Sequence, residues 1–281
     1  MLDDSACPGE AGAHDVPFDD RGLAYGDGLF ETVLVRDGRA LLWEAHLARL
    51  AEGATRLGFS LPDRDRLDAL PALGGPGERV LKLIVTRGSG GRGYAEPDHP
   101  ETRLRWRFSD FAPRRDRWQT GVQVRLCHLS LSEQPVLAGI KHLSRLENVL
   151  ARREWSDDSI AEGLLCDQRG RLVEATAMNL AWCDGVGWYT PSLSHCGVAG
   201  TLRRVLIDEG LLKAVAGVSP EALEDASAVV LFNSVQGVWP VTSLWDAACR
   251  KRLWHHSIDE RLRQWQKTAH RRLGYTTPLD H

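Results

Sequence analysis

The chain has 281 residues, enough for one large or two medium domains that bury a core without disulfide or metal staples. Hydrophobic residues make up 43% and charged residues 26%, the proportions of an ordinary globular protein rather than a disordered or fibrous one. Against 38 Asp and Glu stand 35 Lys and Arg, a formal charge of −3, and this near-balance argues against a binder of nucleic acid or of anionic membranes.

No apolar run approaches the ~20 residues of a membrane helix, and the opening MLDDSACPGE has neither the basic nor the apolar region of a secretion signal. A cytoplasmic protein with no membrane contact is expected. The 6 cysteines are scattered, with no C-x-x-C and no histidine pair at zinc-binding spacing, so neither a disulfide framework nor a metal site is expected. Nearly all the positive charge is arginine. If the chemistry needs a lysine, the candidates are Lys82, Lys141, Lys213, Lys251 and Lys267.

The first ~16 residues are small and polar and read as loose, and no strand is evident in Met1–Asp19. Leu29–Val35 is apolar and β-branched and reads as a strand, with a turn at Asp37-Gly38 and a second strand near Ala40–Leu42. Trp43, Leu47, Leu50, Ala54 and Leu57 then recur at helical spacing up to Gly58, which suits the residue after a helix. Arg79–Thr86 and Arg103–Phe108 read as strands joined by a glycine-rich loop, and the polar stretch around 110–119 as a linker. Beyond it, Val122, Val124 and Leu126 alternate as in a half-buried strand, and Ser144-x-x-Glu147 has the form of a capping box ahead of Val149 and Leu150. Strands follow at Gly163–Cys166, Leu172–Val173, Asn179–Cys183 and Trp188–Thr190. A helix fits Thr201–Leu212, a short one opens at Ser219-Pro220, and Ala228–Phe232 is a buried strand. The resulting organisation is a smaller α/β domain over 1–113, a linker over 114–120 and a larger domain over 121–281.

Four features carry chemistry, and each has a plain structural alternative. Gly88-Ser-Gly90-Gly-Arg92-Gly93 matches a dinucleotide fingerprint, but the following Tyr94-Ala-Glu-Pro97-Asp-His-Pro100 cannot open the helix that such a site requires, which leaves a surface loop or one that faces substrate. Gly197-Val-Ala-Gly200-Thr201-Leu202 precedes a helical run, where free N–H groups suit a phosphomonoester, or is simply a glycine before a helix. Lys141 has apolar neighbours Leu137, Ile140 and Leu143, which favour the neutral amine of a Schiff base, although a lone lysine is ordinarily a solvated charge. Glu174, in a run of small residues between strands, is either a partner for a protonated ring nitrogen or a solvated hairpin edge.

Together these segments resemble the branched-chain aminotransferase-like family of pyridoxal-phosphate enzymes, the fold-type IV group. The resemblance runs from about Asp20 to Val241 through Asp20-Arg-Gly-Leu-Ala-Tyr25-Gly-Asp-Gly-Leu-Phe30, His46-Leu-Ala-Arg49-Leu, Gly139-Ile-Lys141, Val173-Glu174 with Asn179-Leu180, and Gly200-Thr-Leu-Arg203. Within the family, Arg87-Gly-Ser-Gly-Gly-Arg-Gly-Tyr94 and Gly139-Ile-Lys-His-Leu-Ser-Arg-Leu-Glu147 are most similar to the aminodeoxychorismate lyases. What the resemblance implies is an α+β, two-domain, D-amino-acid aminotransferase-like fold with pyridoxal 5'-phosphate between the domains, in a homodimer that makes 4-aminobenzoate and pyruvate on the way to folate. It implies Lys141 as the Schiff-base lysine and proton shuttle, Glu174 at the pyridine nitrogen, and Arg49, Asn179, Thr201 and Leu202 as further cofactor contacts. Thr32 falls beside the catalytic lysine, and Arg92, Tyr94 and Tyr25 fall where substrate is held. A passing contact with the synthase that makes the substrate belongs to the same expectation. Branched-chain aminotransferases carry a tyrosine five residues after the catalytic lysine; here that position is Leu146, which argues against that activity. A D-amino-acid aminotransferase on the same scaffold and a non-catalytic cofactor-binding homologue are the alternatives.

Overall fold

The structure is a computed structural model that describes residues 10–11 and 16–275. Most of the opening segment read as loose lies outside those residues. The chain divides into two compact units, one of Met1–Ala112 with Ile140–Ser144 and one of Pro113–Gly139 with Arg145–His281.

The first unit contains strand β1 (Glu10–Ala11), helix α1 (Arg21–Tyr25), β2 (Gly28–Arg36), β3 (Arg39–Ala40), α2 (Trp43–Leu57), α3 (Arg64–Asp68), β4 (Glu78–Thr86) and β5 (Arg103–Asp110). The strands form an antiparallel sheet in the order β1-β5-β4-β2-β3. The edge strand β1 is two residues long and lacks any apolar alternation, which is why the sequence gives no sign of it. Helix α2 buries His46, Leu47, Arg49, Leu50, Gly53 and Ala54, the stripe that its periodicity implies, and Gly58 closes it in a left-handed conformation.

The second unit contains α4 (Arg115–Thr120), β6 (Val122–Leu131), α5 (Leu146–Arg152), β7 (Ile160–Asp167), β8 (Leu172–Ala175), β9 (Asn179–Cys183), β10 (Trp188–Pro191), α6 (Thr201–Asp208), β11 (Lys213–Val215), β12 (Ala228–Asn233), β13 (Gly237–Trp245), β14 (Arg252–His255) and α7 (Glu260–Arg272). Its nine-stranded sheet runs β11-β10-β9-β12-β13-β6-β7-β8, with β14 also on β13. The central strands β9 and β12 are buried on both faces, as their uninterrupted apolar runs require.

Several elements differ from the sequence reading. The 114–120 stretch is mostly helix, and its Trp118 is fully buried against His270 and Tyr275; charged flanks hid one apolar anchor. No capping box forms, because the Glu147 carboxylate accepts the Ser132 N–H at 2.8 Å and Arg145 stands at the cap. Helix α6 stops at Asp208, and after the turn at Gly210 Lys213 begins a strand parallel to β10. Helix α7 was not anticipated, although Asp259 caps it and Leu262, Trp265, Gln266, Ala269 and His270 form its buried stripe.

Candidate active site

In the first unit, alternation along β2 sends Phe30 and Thr32 to one face and Glu31 to the other. The 140–144 segment lies along β2: the Phe30 N–H donates to the Lys141 carbonyl at 3.0 Å and the Leu143 N–H to the Gly28 carbonyl at 3.0 Å. These bonds hold Lys141 so that its Nζ sits 4.3 Å from the centre of the Phe30 ring. Ile140, before it, is fully buried. The chain thus presents the Lys141 amine beside an aromatic face, on the side of β2 that also carries Thr32.

On the opposite face, Glu31 meets α2. Arg49 donates to its carboxylate through Nε at 2.8 Å and Nη2 at 2.5 Å, and His46 Nδ1 lies 2.7 Å from Oε2, all three residues being buried. Burial raises the Glu31 pKa, but Arg49 and His46 overcome it and hold the carboxyl at about 2. Burial also lowers His46, against the pull of Glu31. Glu31 carries no role in the motif reading. Its signal was a carboxylate inside an apolar strand, fifteen residues before a histidine and three more before an arginine at one-turn spacing.

Arg92 and Tyr94 lie in a loop, with no helix between β4 and β5, so the glycine pattern does not build a dinucleotide site. Arg92 is exposed, Tyr94 is 87% exposed, and the Tyr94 ring tilts against Tyr25 at 5.4 Å between centres. The arginine that shapes this loop is Arg21, buried, with Nη1 donating to the carbonyls of Gly90, Gly93 and Ala95 and Nη2 to that of Tyr94. Sequence reasoning quoted Arg21 in a motif without seeing its part.

In the second unit, Glu174 on β8 is 4% exposed rather than a solvated hairpin edge, and its Oε2 accepts the Val198 N–H at 3.0 Å. Asn179, at the start of β9, clamps the same loop: Nδ2 donates to the Val198 carbonyl at 2.9 Å and Oδ1 accepts the Gly200 N–H at 3.0 Å. Gly200 fits so closely that a Cβ there would stand 2.0 Å from Asn179 Oδ1. Thr201 and Leu202 are the first two residues of α6, whose N-cap Gly200 makes no side-chain cap bond, and the positive end of a helix dipole favours an anion. Burial lowers the Arg203 guanidinium to about 10 while the Glu174 carboxylate opposes that shift. Arg203 itself donates through Nε to Thr190 Oγ1 at 3.3 Å and through Nη2 to the Pro191 carbonyl at 2.9 Å. Among the described residues no group of His, Cys, Asp and Glu could hold a metal ion, and no helix is long and apolar enough to cross a membrane.

The chain belongs to the amino-transferase class IV family, which matches residues 28–244. Its α+β architecture with two sheets is the fold-type IV fold. It is 35% identical over 236 residues to an aminodeoxychorismate lyase of Vibrio harveyi, covering 82% of this chain and 87% of that protein. A crystal structure of 4-amino-4-deoxychorismate lyase from Pseudomonas aeruginosa superposes with a TM-score of 0.82 at 43% identity, covering 94% of this chain and 97% of that one. The PLP-bound form of a hypothetical aminotransferase from Mycobacterium tuberculosis shares the fold, with a TM-score of 0.72, 23% identity and coverage of 92% and 94%.

Proposed function

We propose that the protein is a pyridoxal-phosphate-dependent aminodeoxychorismate lyase that converts 4-amino-4-deoxychorismate to 4-aminobenzoate and pyruvate. The observation that carries this reading is the likeness to two lyases, over 82% and 94% of this chain. The residues fit the cofactor. An uncapped helix N-terminus behind a glycine too tightly packed for a side chain suits the phosphate, and a buried carboxylate suits a protonated ring nitrogen. Thr201, Leu202 and Arg49 would hold the phosphate, with Asn179 acting through the Val198–Gly200 loop that its amide fixes. Glu174 would hold the ring nitrogen's proton.

When bound, pyridoxal phosphate supplies a carbonyl for amines and an electron sink. Lys141 would hold it, and the Lys141 amine would take the proton from the ring carbon of the substrate that bears nitrogen. Lys141 or the Thr32 hydroxyl then gives a proton to the departing enolpyruvyl oxygen, and aromatisation of the ring drives the step to completion. Arg92, Tyr94 and Tyr25 would orient the substrate, a role supported by the loop that Arg21 gathers. Leu146, 75% exposed, forms with Val149 and Leu150 an outward apolar face on α5, which supports assembly as a homodimer.

Incubating holoenzyme with aminodeoxychorismate should produce 4-aminobenzoate, read by its fluorescence, while D-alanine with 2-oxoglutarate gives little pyruvate. The reverse outcome would assign the chain to the D-amino-acid aminotransferases.

A further inference from the structure

On the Thr32 face of the five-stranded sheet stand three cations that form no ion pair among the described residues. The register places Thr32, Lys82 and Arg107 in one row across β2, β4 and β5, and Phe30, Ile84 and Arg105 in the next. Residues paired across strands point to the same face, so Lys82, Arg105 and Arg107 share a face with Thr32 and with the Phe30 ring. The ammonium groups of Lys82 and Lys141 lie 5.6 and 4.3 Å from the centre of that ring.

Other arginines on these strands have carboxylate partners: Arg79 pairs with Asp110, and Arg103 with Asp20. Among the described residues Lys82, Arg105 and Arg107 form no such pair, although Glu10 is the register partner of Arg107 at the sheet edge. Arg105 Nη1 reaches the backbone carbonyl of Leu104 at 3.3 Å, and its Nε is shut off from solvent with no acceptor. Like charges directly opposite in a sheet destabilise it, and a shielded donor without an acceptor has lost its hydration for nothing. A fold that keeps both on one face leaves room for an anion that arrives from outside.

We propose that Lys82, Arg105 and Arg107 bind a carboxylate of the substrate and so select a dianionic ring over a simple amino acid. The inference rests on the lyase reading, in which the substrate carries two carboxylates. Strands are spaced about 4.8 Å apart, so an anion over β4 and β5 lies one to two strand spacings from Phe30 and Lys141. That is the span of a single substituted six-membered ring.

The test uses holoenzyme carrying Arg105→Gln, Arg107→Gln and the double substitution, with Arg39→Gln on β3 as the control for lost charge. The KM for aminodeoxychorismate should rise about 10-fold in each single variant and about 100-fold in the double, with kcat within about threefold, as befits lost charge-assisted contacts made in the ground state. Affinity for one product, 4-aminobenzoate or pyruvate, should fall in proportion and reveal which carboxylate is held. The thermal midpoint should stay level or rise, because the row repels itself. An unchanged KM and unchanged product affinities in the double variant would overturn the inference, as would a KM change that comes only with a lowered midpoint. If wild-type enzyme makes no 4-aminobenzoate the lyase reading itself fails and takes the inference with it; if it makes the product and the variants match it, the inference alone fails.

Discussion

Glu174 holds one proton acceptor in a buried position, with a backbone N–H on Oε2 and the Arg203 cation close by. A carboxylate in this place would keep a pyridine nitrogen set against it protonated. Glu174→Gln keeps the shape and the bond from Val198 but removes the charge. Turnover should fall by roughly 10²–10³-fold, as for loss of a preorganised electrostatic contact, while affinity for pyridoxal phosphate falls less than about tenfold. Steady-state kinetics beside a titration of the apo-protein would separate the two. Equal losses in both would make Glu174 a structural residue of β8.

The same loop can be tested at the level of helix α6. Gly200 has an ordinary extended conformation, so what forbids a side chain there is space, not strain: Asn179 Oδ1 already fills the Cβ position. Gly200→Ala must push Asn179 aside, breaking its bonds to Val198 and Gly200 and shifting the first turn of α6. A loss of about 1–3 kcal/mol in stability is expected, the usual effect of overpacking. If the helix N-terminus receives the phosphate, affinity for pyridoxal phosphate should drop well over tenfold, and affinity for pyridoxal, which has no phosphate, far less. Comparable losses for both would place the phosphate elsewhere. Elements built on strong periodicity or capping glycines, such as α2 and β12, were legible in the sequence because local pattern and burial agree there. Those that escaped depend on distant partners. Strand β1 has two residues and no pattern, α4 is anchored by one tryptophan among charges, and Glu147 leaves its capping box for the Ser132 N–H, fifteen residues back. The site divides in the same way. Lys141 and Glu174 stood out by their chemistry against apolar or small neighbours, whereas Glu31, Arg21 and the Lys82 row are defined by cross-strand register and loop closure, which a linear reading does not contain.

For the chain as a whole, the buried titratable groups predict how it responds to acid. Burial holds His270 down at about 3, with Arg115 adding to the effect. His46 is lowered as well, chiefly by burial. A histidine kept neutral in the folded state but free to protonate at about 6.5 when unfolded gives the unfolded chain the extra proton, so stability rises with pH and is lost as pH falls below about 6.5. For His270 that loss continues down to about 3, at up to about 1.4 kcal/mol per pH unit. Glu31 adds to the decline later. Its folded pKa of about 2 lies below the ordinary carboxylate value, so its contribution is complete above about 4.5 and disappears as pH falls from there toward 2. Chemical denaturation at pH 7.5, 6, 5 and 4 should therefore show a progressive fall that starts near pH 6.5. His270→Gln can still offer an oxygen to the Val238 N–H but cannot gain a proton. It should be as stable as the parent or less so at pH 7.5, and should show a shallower decline between pH 6.5 and 4. Parallel curves for parent and variant would mean that His270 titrates alike in both states, and that the acid response lies with Glu31 and His46.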